Sequence, residues 1–169
     1  MSPYPSAIRT RKAAMRTSSL VAAVILVPAL PALSVRAAEN VVQVKLEDAS
    51  VNGSLEGMLV KVDRDTVKAG RVTFLVTNES EALVHELIVL QTDLDVSQLP
   101  YDPRKGKVLE NQLKSLGEVE ELKPGKSGKL TLSLKPGPYV LMCNQPGHWH
   151  AGMWAKFTVT SSAPQSTNS

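Results

Sequence analysis

Cysteine and long apolar runs are both scarce in this 169-residue sequence. The single cysteine, at position 143, cannot form a disulfide within the chain, so a hydrophobic core must hold the fold together. A chain of this length can bury enough apolar surface to do so as one domain. The main apolar stretch, residues 20–30, is shorter than the roughly 20 residues of a membrane-spanning helix, which argues against a permanent membrane anchor.

Acidic residues are missing altogether from the first 37 positions. These positions hold five of the 19 basic residues, namely Arg9, Arg11, Lys12, Arg16 and Arg36. The formal net charge of +3 therefore arises in this leader, because the remaining 14 basic residues face all 16 acidic ones, a net charge of −2. A mildly acidic domain has no electrostatic reason to bind nucleic acid, and we exclude that class of partner.

The leader has the three parts of a secretory signal peptide: a basic start, an apolar middle and small residues before a cleavage site. Val35 and Ala37 place that site after position 37. No cysteine lies near it to carry a lipid, and no adjacent arginine pair precedes the apolar stretch, so general secretion is favoured over twin-arginine export. We expect a signal peptide at residues 1–37 and a soluble, secreted or periplasmic protein with no membrane insertion after cleavage.

Short segments in which apolar and polar residues alternate predict β-strands along most of the exported chain. The segments are residues 42–47, 58–62, 71–77, 85–89, 129–135, 139–143 and 156–160. About seven strands at this spacing predict an all-β sandwich or Greek-key barrel. We place this domain at residues 38–160 and expect residues 161–169, which lack core-forming side chains, to be disordered.

One segment has a helical pattern. Leu109, Leu113 and Leu116 recur at i, i+4 and i+7 between residues 107 and 117. We therefore predict one short amphipathic helix within the long connection that runs from residue 91 to residue 128.

Residues 143–153, with the sequence CNQPGHWHAGM, concentrate side chains that bind metals. Cys143, His148 and Met153 follow one another at C-x4-H-x4-M in a loop between two predicted strands, where they can surround one point. Thiolate and thioether donors favour copper over calcium or magnesium. A second imidazole, from His85 at the start of a predicted strand, gives a site of two His, one Cys and a weak Met, which is typical of copper electron-transfer centres.

Each of these residues taken alone has a simpler explanation. A lone cysteine is more often a small buried apolar residue, and a strand histidine or a methionine is more often part of the core. Their ordered spacing favours a metal site, because an exported protein gains nothing from a reactive thiol that cannot pair internally.

These motifs resemble the cupredoxin family of blue copper proteins over most of the exported chain. Residues 67–78 (VKAGRVTFLVTN) are similar to the strand before the family's first His, and residues 122–125 (LKPG) and 134–139 (LKPGPY) to the turns before its Cys strand. The ligand loop resembles that of the sulfocyanin, rusticyanin and auracyanin branches. The resemblance implies an eight-stranded Greek-key sandwich with one copper ion that cycles between Cu(I) and Cu(II). The implied ligands are His85, Cys143, His148 and Met153.

Two positions in the sequence need separate consideration. Family members often have Asn or Ser after the first His, where it braces the ligand loop, whereas this chain has Glu86. A backbone N–H at that position can still reach the Cys143 sulfur. His150 is an alternative to His148 as ligand, at C-x6-H-x2-M, but the Pro-Gly pair before His148 favours His148 and makes His150 an exposed neighbour.

Two tryptophans and one methionine lie beside these residues. Trp149 and Trp154 either pack over the end of the sandwich or form an apolar rim around His148 through which electrons pass. Met142 has the opposite strand parity to Cys143 and is expected to point away from the metal.

The leading functional hypothesis is a monomeric electron carrier, not an enzyme, that makes small, weak contacts with a redox donor and a redox acceptor. The alternative is a periplasmic copper-handling protein, such as a chaperone, scavenger or resistance protein. Such proteins tend to have exposed Met-rich sites, and only one Met is clustered here. Three histidines are too few for a multicopper oxidase or a copper nitrite reductase. A hydrolase using Cys143 and His148 leaves Met153 unexplained.

Overall fold

The structure, a computed structural model, describes residues 40–48 and 57–161. The predicted signal peptide and residues 162–169 of the predicted tail lie outside this part of the chain. Within it the chain forms strands of two to nine residues. They are β1 (Asn40–Asp48), β2 (Met58–Val62), β3 (Thr66–Lys68), β4 (Gly70–Asn78), β5 (His85–Gln91), β6 (Tyr101–Asp102), β7 (Lys107–Val108), β8 (Lys114–Leu122), β9 (Ser127–Leu134), β10 (Gly137–Met142) and β11 (Trp154–Thr160).

Most of these strands belong to two sheets, with the orders β2-β1-β4-β9 and β3-β11-β10-β5-β8, while β6 and β7 form a small separate hairpin. β1 runs parallel to β4 and β3 runs parallel to β11, and the other pairs are antiparallel. One apolar core contains residues of both sheets. The predicted all-β sandwich class is therefore confirmed.

The alternation that predicted the strands points their apolar side into this core. Val42, Val44 and Leu46 of β1 are buried, whereas Gln43 and Lys45 between them are exposed. A shift of β1 by one residue would exchange the two sets, so the pattern fixes the register of the strand.

β5 is buried on both faces. Leu87 and Val89 lie in the main core, and Ile88 and Leu90 lie in a second apolar cluster on the outer face of the second sheet. The connection after β5 completes that cluster with Val96, Leu99 and Val108. His85 is therefore the first residue of a strand that is enclosed on both sides.

The prediction of a short amphipathic helix in the long connection is wrong. Leu109 and Leu113 flank a single 3-10 turn at Glu110–Gln112, and Leu116 lies in β8, which pairs with β5. Pairing with β8 satisfies backbone groups of β5, and this gain outweighs the weak preference of a few leucines for a helix. None of the helical turns in residues 40–48 and 57–161 has the length or apolar character needed to cross a membrane.

Asn78, the last residue of β4, fixes the turn that leads to His85. Its buried amide donates to the carbonyl oxygens of Leu83, at 2.8 Å, and Leu122, at 2.7 Å. Its side-chain oxygen accepts from the Ser80 backbone N–H at 2.9 Å. These bonds hold the connection between β4 and β5 against the end of β8.

We expect Asn78→Ala to lower the free energy of unfolding by about 2 to 4 kcal/mol, because two carbonyl groups lose their donor. Thr77→Ala is the matched control, since the Thr77 hydroxyl makes an exposed bond to Ser127, and its effect should stay within about 0.5 kcal/mol. Urea unfolding measures both variants. Equal losses would contradict this role for Asn78.

Candidate metal centre

The predicted ligands lie at one end of the sandwich. His85 begins β5, Cys143 follows the last residue of β10, and Met153 immediately precedes β11. Because β10 runs antiparallel to β5, the end of one strand lies beside the start of the other. His148 comes from the loop between β10 and β11, and all four side chains are buried.

Three potential ligand atoms converge in this buried space. The Nδ1 atoms of His85 and His148 are 3.1 Å apart, and the Cys143 Sγ lies 3.5 Å from the His148 Nδ1 and 3.9 Å from the His85 Nδ1. Metal bonds of about 2.0 to 2.3 Å to one shared ion, at angles of about 100 to 120°, place three such donors about 3 to 4 Å apart. The triangle therefore has the size needed to hold a single ion.

The chemistry of these donors fits copper. Cysteine sulfur and imidazole nitrogen are ligands that copper prefers, whereas calcium and magnesium require oxygen. The cluster of His85, Cys143 and His148 can therefore bind one copper ion.

Met153 is tied to two of the other residues through its backbone. Its N–H donates to the His148 carbonyl, and its carbonyl accepts from the Cys143 N–H, both at 3.0 Å. These bonds close the loop of residues 143–153, and the Met153 side chain is buried in the same core as Cys143. Its role as a weak fourth ligand stays a prediction.

His150 lies outside the triangle. Its side chain is exposed and stacks on Tyr101, with ring centres 5.9 Å apart. Of the two histidines in the loop, the structure brings His148 to Cys143 and His85.

Burial raises the pKa of the Cys143 thiol from 9.0 to about 11. Backbone hydrogen bonds from Gln145 and Glu86 to the sulfur act in the opposite direction. The backbone N–H at position 86, which the sequence suggested could reach this sulfur, is thus one of two groups that lower the pKa of the thiol. Metal binding requires the thiolate, so it must displace the thiol proton, and these N–H donors favour that change.

Both imidazoles favour their neutral form. Burial lowers the pKa of His148 to about 4, with a smaller contribution from His85, and burial also lowers the pKa of His85. Asp48 opposes both shifts, and its Oδ2 lies 3.2 Å from the His85 Nε2. Neutral imidazole is the form that binds metals, so both rings are ready to do so at pH 7.

Glu86 braces the ligand loop. Its buried carboxylate accepts from the Asn144 backbone N–H at 3.1 Å and from the Gln145 side-chain amide at 3.0 Å. Burial raises the pKa of Glu86, and nearby Lys107 acts in the opposite direction. The departure seen in the sequence therefore changes the residue type but keeps a side-chain link between β5 and the loop.

Sequence reasoning missed a second brace, in which Asn144 bonds to β7. The Asn144 side chain accepts from the Val108 N–H at 2.8 Å and donates to the Val108 carbonyl at 3.0 Å. Three residues further along the loop, the Gly147 N–H donates to the Gly106 carbonyl at 2.8 Å. Gly106 has a φ of +66°, and a Cβ there would lie 2.9 Å from the Gly147 nitrogen, so this contact requires glycine.

Aromatic rings cover the outer face of the second sheet near the loop. Trp149 and Trp154 pack against the second apolar cluster, which includes Met142, and the Tyr101 ring lies 5.0 Å from the Trp149 ring. Met142 and Cys143 lie in different clusters, which confirms that Met142 points away from the site. The buried Trp149 Nε1 has no hydrogen-bond partner in the described part of the chain. Packing accounts for both tryptophans, and their role as an electron-transfer rim stays a prediction.

Known proteins share this fold and its domain type. The family model for the sulfocyanin (SoxE) domain matches residues 38–167. No curated protein matches the chain.

Three solved cupredoxin structures illustrate the likeness. Reduced auracyanin from Roseiflexus castenholzii is 21% identical over 72% of this chain and 96% of its own, with a TM-score of 0.51. Auracyanin B is 22% identical over 73% of this chain and 89% of its own, with a TM-score of 0.50. A rusticyanin variant structure is 16% identical over 72% of this chain and 77% of its own, with a TM-score of 0.54. At these identities the likeness shows the fold alone.

His148 should make the stability of the metal-free protein depend on pH. Its pKa is about 4 in the folded chain and about 6.5 in the unfolded chain, so protonation favours unfolding. The stabilisation that the neutral His148 ring contributes to the free energy of unfolding is present above about pH 6.5 and is lost progressively down to about pH 4. We expect His148 to account for a loss of about 2 kcal/mol in the free energy of unfolding between pH 7 and pH 5.

Urea unfolding across this pH range measures the effect, with His148→Gln as the control that cannot titrate. The variant should lose correspondingly less stability on acidification. The same pH dependence in both proteins would refute the assignment to His148.

Proposed function

The chain belongs to the sulfocyanin (SoxE) family of cupredoxins, and on that premise we propose that it is a type 1 (blue) copper protein that carries single electrons between redox partners. The observation that carries the proposal is the buried triangle formed by the Cys143 Sγ and the Nδ1 atoms of His85 and His148. Copper, when bound, supplies a one-electron Cu(I)/Cu(II) couple. We assign the protein no enzymatic activity.

We assign four side chains as the ligands. His85, Cys143 and His148 hold the metal through the atoms that already converge, and Met153 is the weak fourth ligand. The backbone bonds from Met153 to Cys143 and His148 support this assignment, because they fix the start of its side chain beside the other ligands.

The bonds around the site suit it to electron transfer. Glu86 and Asn144 hold one part of the loop, and the contact between Gly147 and Gly106 holds another. Ligand atoms that are held in one arrangement need little reorganisation when an electron arrives or departs. The Cys143 sulfur is also out of contact with water, since its side chain is fully buried.

His148 is the most exposed of the four ligands, at 7%, while the other three are at 0%. We propose that electrons pass through the His148 ring and the apolar surface beside it, where Trp149 is half-buried. A redox donor and a redox acceptor would make small, weak contacts there, which allows rapid exchange of partners.

We propose that residues 1–37 direct export and are then removed. The domain at residues 38–160 and the short tail at 161–169 remain, as a monomeric secreted or periplasmic protein without a membrane anchor. The basic leader without acidic residues supports this location. The buried free thiol of Cys143 is compatible with this location, because metal ligation would protect it from oxidation outside the cytoplasm.

The copper-loaded protein should be blue, with a strong thiolate-to-Cu(II) absorption band and a type 1 electron paramagnetic resonance spectrum. Cys143→Ser should abolish the band, and His148→Ala should weaken or shift it, because each removes a ligand. His150→Ala is the matched control in the same loop and should leave the band unchanged. A colourless Cu(II) protein would refute the proposed function, and bleaching in His150→Ala would reassign the ligand.

Retention of copper distinguishes the electron-carrier hypothesis from the copper-handling hypothesis. Because the ligands are buried under a braced loop, we expect bound copper to remain through repeated reduction and reoxidation in the presence of a competing chelator at neutral pH. The blue absorbance and the copper content after each cycle measure this. Loss of most of the copper in the first cycle would favour a chaperone or scavenger instead.

A further inference from the structure

Asp48, the last residue of β1, makes a contact that joins the first sheet to the second. Its Oδ2 lies 3.2 Å from the Nε2 of His85, the first residue of β5. The Asp48 side chain is 6% exposed and the His85 side chain 0%. A carboxylate thus lies within hydrogen-bond distance of one proposed ligand, in a nearly water-free environment.

The two nitrogens of the His85 ring face different neighbours. Nδ1 faces the Cys143 sulfur and the His148 ring, while Nε2 faces Asp48. A neutral imidazole carries one ring proton, and a carboxylate only accepts hydrogen bonds. The proton therefore lies on Nε2, which leaves the Nδ1 lone pair directed into the triangle. Carboxylates in this position also fix the ring orientation and increase the basicity of the ligand.

We propose that Asp48 is a positioning residue that selects the metal-binding tautomer of His85 and lowers the reduction potential of the copper site. This inference rests on the proposed function. The potential is lowered because a negative charge beside a ligand stabilises the oxidised site, which carries one more positive charge than the reduced site. Both effects act through the His85 ring and need no contact between Asp48 and the metal.

Two substitutions separate the hydrogen bond from the charge. Asp48→Asn keeps the shape and a side-chain oxygen that can accept from Nε2, but removes the charge. Asp48→Ala removes both. Asp93→Asn is the matched control, because it makes the same change in net charge at an exposed residue beyond the far end of β5, a strand about 20 Å long.

The reduction potential of the copper-loaded, full-length protein is measured by optical titration against redox mediators. We expect Asp48→Asn to weaken Cu(II) binding relative to Cu(I) binding by about tenfold or more. A tenfold change equals a rise of about 59 mV for a one-electron couple. Asp93→Asn should leave the potential unchanged. A potential in Asp48→Asn equal to that of the control would overturn the charge effect, while an intact blue band would leave the proposed function standing.

The tautomer is measured without copper, by nitrogen-15 NMR of the His85 ring in the metal-free protein. We expect the proton on Nε2 in the unmodified protein and in Asp48→Asn, and a mixture of tautomers in Asp48→Ala. A proton on Nδ1 in the unmodified protein would overturn the positioning role. This measurement still decides that role if the protein proves not to be blue, and Asp48→Asn with the unmodified protein suffices if Asp48→Ala does not fold.

Discussion

Three polar side chains share one small space in the core, and the surrounding structure is arranged to make this possible. The potential ligand atoms of His85, Cys143 and His148 lie 3.1 to 3.9 Å apart, away from water. Buried polar groups are costly unless they are bonded. Asp48 satisfies the outer nitrogen of His85, and backbone N–H groups reach the Cys143 sulfur. The remaining lone pairs face one another, and a metal ion that all three can bind satisfies them together.

Supports for this arrangement come from separate parts of the chain. Asp48 lies in the first sheet, Glu86 in β5 and Val108 in the connection that covers the outer face of the second sheet. Asp48 is bonded to His85, whereas Glu86 and Val108 are bonded to the residue after Cys143, so the loop cannot move without breaking the last two contacts. The bonds that offset the cost of burying these polar groups also keep the donor atoms fixed, as the proposed electron transfer requires.

Much of the sandwich was predictable because strands with one buried face have a period of two. β2 lies where the alternation placed it, and β1, β10 and β11 begin and end within two residues of the predicted segments. The alternation failed where tertiary contacts dominate. Leu116 belongs to an edge strand because β5 needs a pairing partner, and the short strands β3, β6 and β7 carry too few residues to show any period.

The sequence by itself determined the donor types and the loop in which most of them lie, because side chains five residues apart in one short loop between two strands stay close to one another. The Pro-Gly pair favoured His148 over His150, but both histidines are within reach along the chain, and tertiary structure decided that His148 joins His85 while His150 stacks on Tyr101. It also decided that Asp48 bonds to His85, 37 positions away. A contact between residues so far apart in the sequence depends on how the two sheets pack. The periodicity within one strand carries no information about which residue lies opposite in the other sheet.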